Sequence, residues 1–391
     1  MSQFTFYAKR PYENYHKIDM WLLVSMLLLW GLGLFTLFVT SQNYATILFG
    51  DPLQFFKNQV RASIVGFVAF FLFLFLDMKY IKKLLPIILF TSFILCAIAL
   101  TMEDKNGAHR WISIGKFTFQ PSELAKLAIV LFLANYFEKQ ENLLDPEEKN
   151  VFPCVVVFLA FLIVILAQKD FSTAVLVAVI GILMFFVSGA KIAWLIPFII
   201  LAFPAAFFLI ALEPYRLSRV IGWIRPDEFA SSINYQSIAA KRAISAGGFW
   251  GEGIGVGLTK INNIPEVQAD YIFAGWVEAM GFVGVIFYLV ILIFFAYRGY
   301  KTAFNCKTRF TAYGTFGCVS VIFLQSLVNI MVVCGMLPST GIPLPFFSLG
   351  GSSILVTFMM CGFILNSSRC EENNEKTEEN DEINIESLTY L

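Results

Sequence analysis

The sequence predicts an all-α integral membrane protein of about ten transmembrane helices. Both termini are expected to be cytoplasmic, with one large extracytoplasmic loop between spans 7 and 8. Three observations predict this. First, 58% of the 391 residues are hydrophobic and 14% are charged, against roughly 45–50% apolar and about 25% charged in soluble domains. The mean hydropathy is +0.72, more apolar surface than one soluble core buries. Second, the apolar residues form unbroken runs, such as GFVAFFLFLFL from residue 66. Strands of a membrane barrel would instead alternate apolar and polar residues. Third, basic residues crowd into alternate connecting segments.

A spanning helix needs about 20 apolar residues. Runs near that length cover 20–41, 60–77, 84–101, 121–137, 152–168, 172–188, 192–212, 271–297, 312–336 and 350–367. The first is long enough to span and no A-x-A cleavage site follows it, so it reads as a retained span. With the N-terminus inside, the inner segments hold fifteen lysines and arginines and the short outer loops hold six (Lys57, Arg61, Lys105, Arg110, Lys116 and Lys169). The basic bias sets that orientation. The chain therefore divides into a cytoplasmic segment 1–19, a membrane domain 20–367 with an extracytoplasmic loop 213–270, and an acidic tail 368–391. The tail holds eight carboxylates and reads as a solvated, disordered segment.

Composition also excludes functions. Lysine plus arginine equals aspartate plus glutamate at 28 each, and no basic face suggests nucleic acid. Two histidines, His16 and His109, exclude a histidine-rich metal site. Seven scattered cysteines without a CxxC pair predict no disulfide framework. The string Gly251, Gly253, Gly255, Gly257 is no nucleotide loop, because no strand precedes it and no GK[ST] follows.

Ionisable residues at the edges of spans are the functional candidates. Glu123 and Lys126 in QPSELAKL stand at i and i+3 on one helical face. A self-contained ion pair closing the helix end is the simpler alternative. Asp170 in QKDFSTA suits a helix N-cap as well as a site. Arg110 and Trp111 in GAHRWI offer a cation beside an indole, fit for a phosphate or a sugar face, or else an interfacial anchor. Arg216 and Arg219 in PYRLSR stand at i and i+3, a spacing suited to a diphosphate. Asp270 precedes the eighth span and faces a basic loop, which suits a general base, with an N-cap as its alternative. Glu278 within that span reads as a buried structural carboxylate. LPSTGIPLPFFSL at 337–349 is a proline-rich turn between spans. Irregular backbone near membrane depth must be buried in protein or line a cavity.

Taken in order, GAHRWI at 107–112, QPSELAKL at 120–127, Asp170 with Thr173 and Ala174, PYRLSR at 214–219, YQS at 235–237, AISAGG at 243–248, ADYIFA at 269–274 and TGIPLPFFSLGGSS at 340–353 resemble the SEDS family (shape, elongation, division and sporulation). The resemblance covers roughly residues 15–367. It implies a peptidoglycan glycosyltransferase that polymerises lipid II at the outer face of a bacterial cytoplasmic (inner) membrane. It implies as partners a class B penicillin-binding protein and other division proteins. Asp270 matches the family aspartate in the base role. Arg110, Lys126, Arg216 and Arg219 would hold phosphate charge. Trp111, Glu123, Asp170, Gln236, Ser237 and Ser348 would bind or orient substrate. No cofactor is demanded; a divalent cation, magnesium or manganese, is compatible, but no ligand cluster marks a site. SQNYA at 41–45, GDPLQFF at 50–56, GVGLTK at 255–260 and NIMVVCGMLP at 329–338 lean toward the FtsW branch and septal synthesis, with a RodA-like elongation role as the alternative. Departures from the family pattern include His109, Lys169, Ser172, Ala269, Tyr271, Ala279 and Leu349. Two further alternatives are a lipid II flippase, disfavoured by the absence of an evident internal repeat, and a non-catalytic division scaffold.

Overall fold

The computed structural model describes residues 18–102, 108–114, 117–141, 150–189, 214–225, 234–254, 257 and 267–369. The predicted run 192–212, the segment 1–17, the acidic tail from 370 onward and residues 265–266 lie outside the described residues. The described chain is mostly helical. In order it forms α1 (Met20–Phe49), α2 (Gln54–Phe75), α3 (Met78–Ala99), a hairpin β1 (Ile112–Ile114) and β2 (Phe117–Phe119), then α4 (Pro121–Glu141), α5 (Phe152–Ala167) and α6 (Phe171–Val187). There follow α7 (Pro214–Ile224), α8 (Tyr235–Gly247), α9 (Ile272–Asn305), α10 (Arg309–Val333) and α11 (Gly351–Ser368).

Six of these, α1, α2, α3, α9, α10 and α11, are long and apolar enough to cross a membrane; α5 and α6 are apolar but shorter, at 16 and 17 residues. The protein is thus a multi-pass membrane protein. Helix α4 has the length but carries Glu123, Lys126, Glu138, Lys139 and Glu141. Most of its residues are buried, so it runs inside the bundle.

The helix ends differ from the apolar runs for local reasons. Helix α1 continues past the polar residues Ser41, Gln42 and Asn43 to a left-handed stop at Gly50, whose N–H closes on the Thr46 carbonyl. Its start is capped by Asp19, which accepts from the Leu22 N–H at 3.1 Å. Helices α2 and α3 begin several residues before their apolar runs, because Lys57, Lys79, Lys82 and Lys83 fit the wet opening turns of a helix as well as a loop does. Thr308 caps α10 through the Thr311 N–H at 3.2 Å.

Two expectations are corrected. The fold is not purely helical: the polar segment after α3 holds the antiparallel hairpin, with Ile112 opposite Phe119 and Ser113 opposite Thr118. β-branched and aromatic residues on either side of Gly115 favour that pairing over a plain loop. The segment 213–270 likewise contains two helices, α7 and α8.

An apolar core is wrapped in a further apolar surface. Phe71, Leu72 and Phe75 on α2, Ile87 and Phe90 on α3, and Phe287, Val290 and Ile293 on α9 are exposed. Lipid tails are as apolar as these side chains, so no hydrophobic drive buries them. Buried among the apolar core are polar groups such as Gln59, Ser92, Gln325, Ser326 and Asn329. Helix α11 lies close along α2, where a methyl group on Gly362 would stand 2.4 Å from the Phe70 carbonyl oxygen.

Helix α9 is broken at Gly281, whose φ is 62° and ψ −162°. The glycine-rich stretch after α8 repairs the break. Glu252 and Gly253 donate to the carbonyls of Glu278 and Ala279, and Phe282 and Val283 donate to those of Gly248 and Phe249. Backbone groups freed inside a membrane helix must be satisfied in this way.

Candidate active site

The N-termini of α4, α6, α8, α9 and α11 and the C-terminus of α10 converge at one end of the bundle. The residues singled out from the sequence gather there. Two cavities meet at Asp270. One, of about 320 Å³, is lined by Arg110, Trp111, Gln120, Gln268 and Ser352, among others. The other, of about 120 Å³, is lined by Arg219, Gln236, Tyr271, Asn329 and Ser339, among others. Asp270 and Gly341 border both. A separate cavity of about 750 Å³ lies at the opposite end against Glu138, Lys307 and Arg309, and none of the residues singled out from the sequence borders it.

Asp270 closes the turn that leads into α9, one residue before the N-cap Tyr271. Its carboxylate and the Arg110 guanidinium approach the same glycine. A methyl on Gly341 would lie 3.5 Å from Asp270 Oδ2 and 3.9 Å from each terminal nitrogen of Arg110. Gly341 has φ 73°, a conformation costly for any other residue. Arg110 stands 3.8 Å from Asp170 Oδ1, and its buried Nε has no partner among the described residues.

Asp170 caps a helix and also gathers further donors. Its side chain caps α6 by accepting from the Thr173 N–H. It also accepts from Gln120 Nε2 at 3.0 Å and Ser122 Oγ at 3.1 Å. Gln120 in turn donates its N–H to Ser352 Oγ at 2.9 Å, tying α4 to α11. The carboxylate is 2% exposed, so its charge is held by these donors and by Arg110 rather than by water.

The Glu123–Lys126 pair is not self-contained. Lys126 Nζ donates to Glu123 Oε1 at 2.9 Å and to Gln325 Oε1 of α10 at 2.6 Å. Gln325 Nε2 then donates to the Pro343 carbonyl at 2.9 Å. The pair is buried and borders neither cavity at Asp270. It braces the proline-rich loop from behind.

That loop, 339–343, forms the site's wall with its carbonyls individually held. Arg219 takes Ser339 O at 3.0 Å, and Ser172 takes Thr340 O at 2.9 Å. Asn329 takes Ile342 O at 2.8 Å and Gln325 takes Pro343 O. Irregular backbone is stable at this depth because four side chains from three helices replace its missing secondary structure.

The remaining candidates separate. Gln236 lines the smaller cavity. Ser237 and Ser339 lie within hydrogen-bonding reach of the Tyr271 hydroxyl. The Arg216 guanidinium stacks over Phe171 at 5.5 Å, at the start of α6. Ser348 borders neither cavity. Its hydroxyl accepts the Leu344 N–H at 2.8 Å and donates to the Ala269 carbonyl, so it anchors the backbone next to Asp270. Glu278 is buried, its carboxylate against Gly257.

Sequence reasoning passed over Gln120, Gln268, Gln325 and Asn329. Gln325 and Asn329 carried a signal. They are polar residues at i and i+4 inside an apolar run, on one helical face. Among the described residues, no group of three or more His, Cys, Asp or Glu could hold a metal ion.

Comparison with known proteins gives a consistent result. The family model described as a cell cycle protein (FtsW, RodA, SpoVE) matches residues 20–373. A probable peptidoglycan glycosyltransferase FtsW of Borreliella burgdorferi is 34% identical over 358 residues, which cover 90% of this chain and 97% of the relative. Stage V sporulation protein E of Bacillus subtilis is 34% identical over 355 residues, covering 90% and 97%. A chain of a solved peptidoglycan synthase complex that coordinates polymerization and crosslinking superposes with a TM-score of 0.74 at 26% identity, covering 91% of this chain and 99% of that one. The crystal structure of the rod shape determining protein RodA of Thermus thermophilus shares the fold, with a TM-score of 0.68 at 24% identity over 92% and 100% of the two chains.

Proposed function

The chain belongs to the cell cycle family of FtsW, RodA and SpoVE, and on that premise we propose that it is a peptidoglycan glycosyltransferase polymerising lipid II for septal synthesis. The observation that carries the site assignment is the placement of Asp270 between two cavities, each with an arginine.

In the reaction, a sugar hydroxyl of one chain end attacks the anomeric carbon of a lipid-linked donor. The new C–O bond forms as the bond from that carbon to the diphosphate oxygen breaks. The electron pair leaves with undecaprenyl diphosphate, and the hydroxyl proton passes to Asp270. A positioned base of this kind contributes about 10²–10⁴-fold. Arg110, in the wall of the larger cavity, stabilises charge developing on the leaving diphosphate, and Arg219, in the wall of the smaller one, adds positive potential beside the carboxylate. Trp111 offers a sugar face, and Gln236 and Ser237 line or flank the smaller cavity. Asp170 orients Arg110. Glu123 and Lys126 act through the loop they brace. With no three-ligand set among the described residues, no step is assigned to a magnesium or manganese ion.

The membrane reading follows the same premise. We read nine of the eleven described helices, α1–α6 and α9–α11, as crossings of a domain 20–367; the tenth predicted run, 192–212, lies outside the described residues. Lys79, Lys82, Lys83, Arg298, Lys301, Arg309 and Arg369 sit at the end opposite Asp270. The basic bias therefore supports a cytoplasmic face there and an outward-facing site in the inner membrane. Likeness to a synthase complex supports a class B penicillin-binding protein as partner.

The test is polymerisation of purified lipid II in liposomes by wild type and Asp270→Asn, each with and without the co-purified penicillin-binding protein. Glycan ladders from wild type that vanish in the variant are expected. No polymer from wild type with its partner would overturn the enzymatic reading and direct attention to a lipid II flipping assay.

A further inference from the structure

We infer that Asn329 is a positioning residue for Asp270 whose amide oxygen also takes a hydrogen bond from a sugar hydroxyl or acetamido N–H of the substrate; this rests on the glycosyltransferase reading above. Asn329 sits in α10, one turn past Gln325, and is 1% exposed. Its Nδ2 donates to the Asp270 carbonyl at 2.9 Å and to the Ile342 carbonyl at 2.8 Å. One amide thus ties the backbone of the base to the backbone beside Gly341, the glycine both Asp270 and Arg110 approach. Ser348 makes a neighbouring tie, from the Leu344 N–H to the Ala269 carbonyl.

Those two carbonyls fix the amide's orientation. A reversed amide would set Oδ1 against two other acceptors, so the NH₂ must face them. Oδ1 is then left buried without a partner among the described residues. A buried polar atom without a partner in a native fold calls for an explanation. Asn329 lines the smaller cavity together with Arg219, Gln236 and Asp270. An acceptor needs a donor. A diphosphate offers only acceptor oxygens at neutral pH, whereas sugar hydroxyls and acetamido groups offer O–H and N–H. The carboxylate of Asp270 asks for the same kind of partner. The smaller cavity is therefore suited to the sugar whose hydroxyl Asp270 deprotonates.

Full-length Asn329→Ala and the volume-matched Asn329→Leu, co-purified with the penicillin-binding protein, test this beside wild type and Asp270→Asn. Each is assayed with purified lipid II for rate at saturation and for the half-saturating concentration. The thermal midpoint in detergent is recorded for each. We expect both variants to lose at least about tenfold in rate and to need several-fold more lipid II, one well-placed hydrogen bond in each case. Their midpoints should stay within about 5 °C of wild type. Added acetamide should restore part of the rate in Asn329→Ala, but not in Asn329→Leu, where the space is filled, nor in Asp270→Asn. Rates within about threefold of wild type would sink the inference alone. So would losses that track a fall in folded protein in both variants, because Asn329 would then be a packing residue. An inactive wild type would instead sink the glycosyltransferase reading itself.

Discussion

Arg110 concentrates the electrostatics of the site in one side chain. It is partly exposed, yet its Nε is buried, and its terminal nitrogens reach toward Asp170 and the edge of Gly341 beside Asp270. A planar fork can face two carboxylates at once, while an ammonium acts as one point charge. Arg110→Ala is expected to lower the polymerisation rate by about 10²–10³-fold, with Arg110→Lys recovering only part of the loss. Ladder formation at matched protein levels measures this, and a wild-type rate in Arg110→Ala would remove the residue from the mechanism. Gly341 sets the complementary constraint. A methyl there would make ordinary contacts with Asp270 and Arg110, so the penalty of Gly341→Ala comes from φ 73°. That conformation costs about 1–2 kcal/mol in an L-residue. A lower thermal midpoint together with a lower rate is the expected result; a full rate would show that the loop tolerates relaxation.

The elements are shaped by where backbone hydrogen bonds can be satisfied away from water. Helix α9 would be continuous by composition, since its sequence is apolar on both sides of Gly281. Instead it opens, and the stretch around Gly248–Gly253 fills the gap with four backbone hydrogen bonds. The approach leaves no room for side chains. A methyl on Gly251 would stand 2.3 Å from the Ala279 carbonyl oxygen, and one on Gly281 would stand 2.3 Å from the Gly251 nitrogen. Both glycines also have positive φ. Gly251→Ala and Gly281→Ala should therefore fall sharply in membrane yield and thermal midpoint. Gly31→Ala, in open space on α1, should be neutral or slightly stabilised, by up to about 1 kcal/mol. Equal behaviour of the three variants would contradict the interlocked break. The break also docks residues 248–253 against α9 at Glu278–Val283.

Across the whole molecule, a buried polar relay joins the interior helix α4 to the site wall through Glu123, Lys126, Gln325 and Pro343. Removing one partner of a buried ion pair strands the other charge and costs about 3–5 kcal/mol, while removing both is milder. Lys126→Met should therefore be less stable than Glu123→Gln/Lys126→Met, read as thermal midpoints in one detergent. The reverse order would show that the pair is not electrostatically coupled. The opposite end is closed by Asp19, which receives two hydrogen bonds from Arg298 and donates its N–H to Ser368, joining α1, α9 and α11. Much of this protein was legible in its sequence. Hydropathy marks the spanning helices α1, α2, α3, α9, α10 and α11, because a membrane-crossing segment announces itself in consecutive residues, but it does not mark α7 or α8. Asp270, Arg110, Asp170 and Arg219 stand out because an ionisable group beside an apolar run is costly unless used. The pairing of Asn329 with two carbonyls, the relay from Lys126 to Pro343, the turn of Ser348 away from the cavity and the repair of α9 were not legible. Each joins residues distant in the chain through single hydrogen bonds. Composition and periodicity report which face a residue occupies, but only the packed bundle decides which carbonyl that face meets.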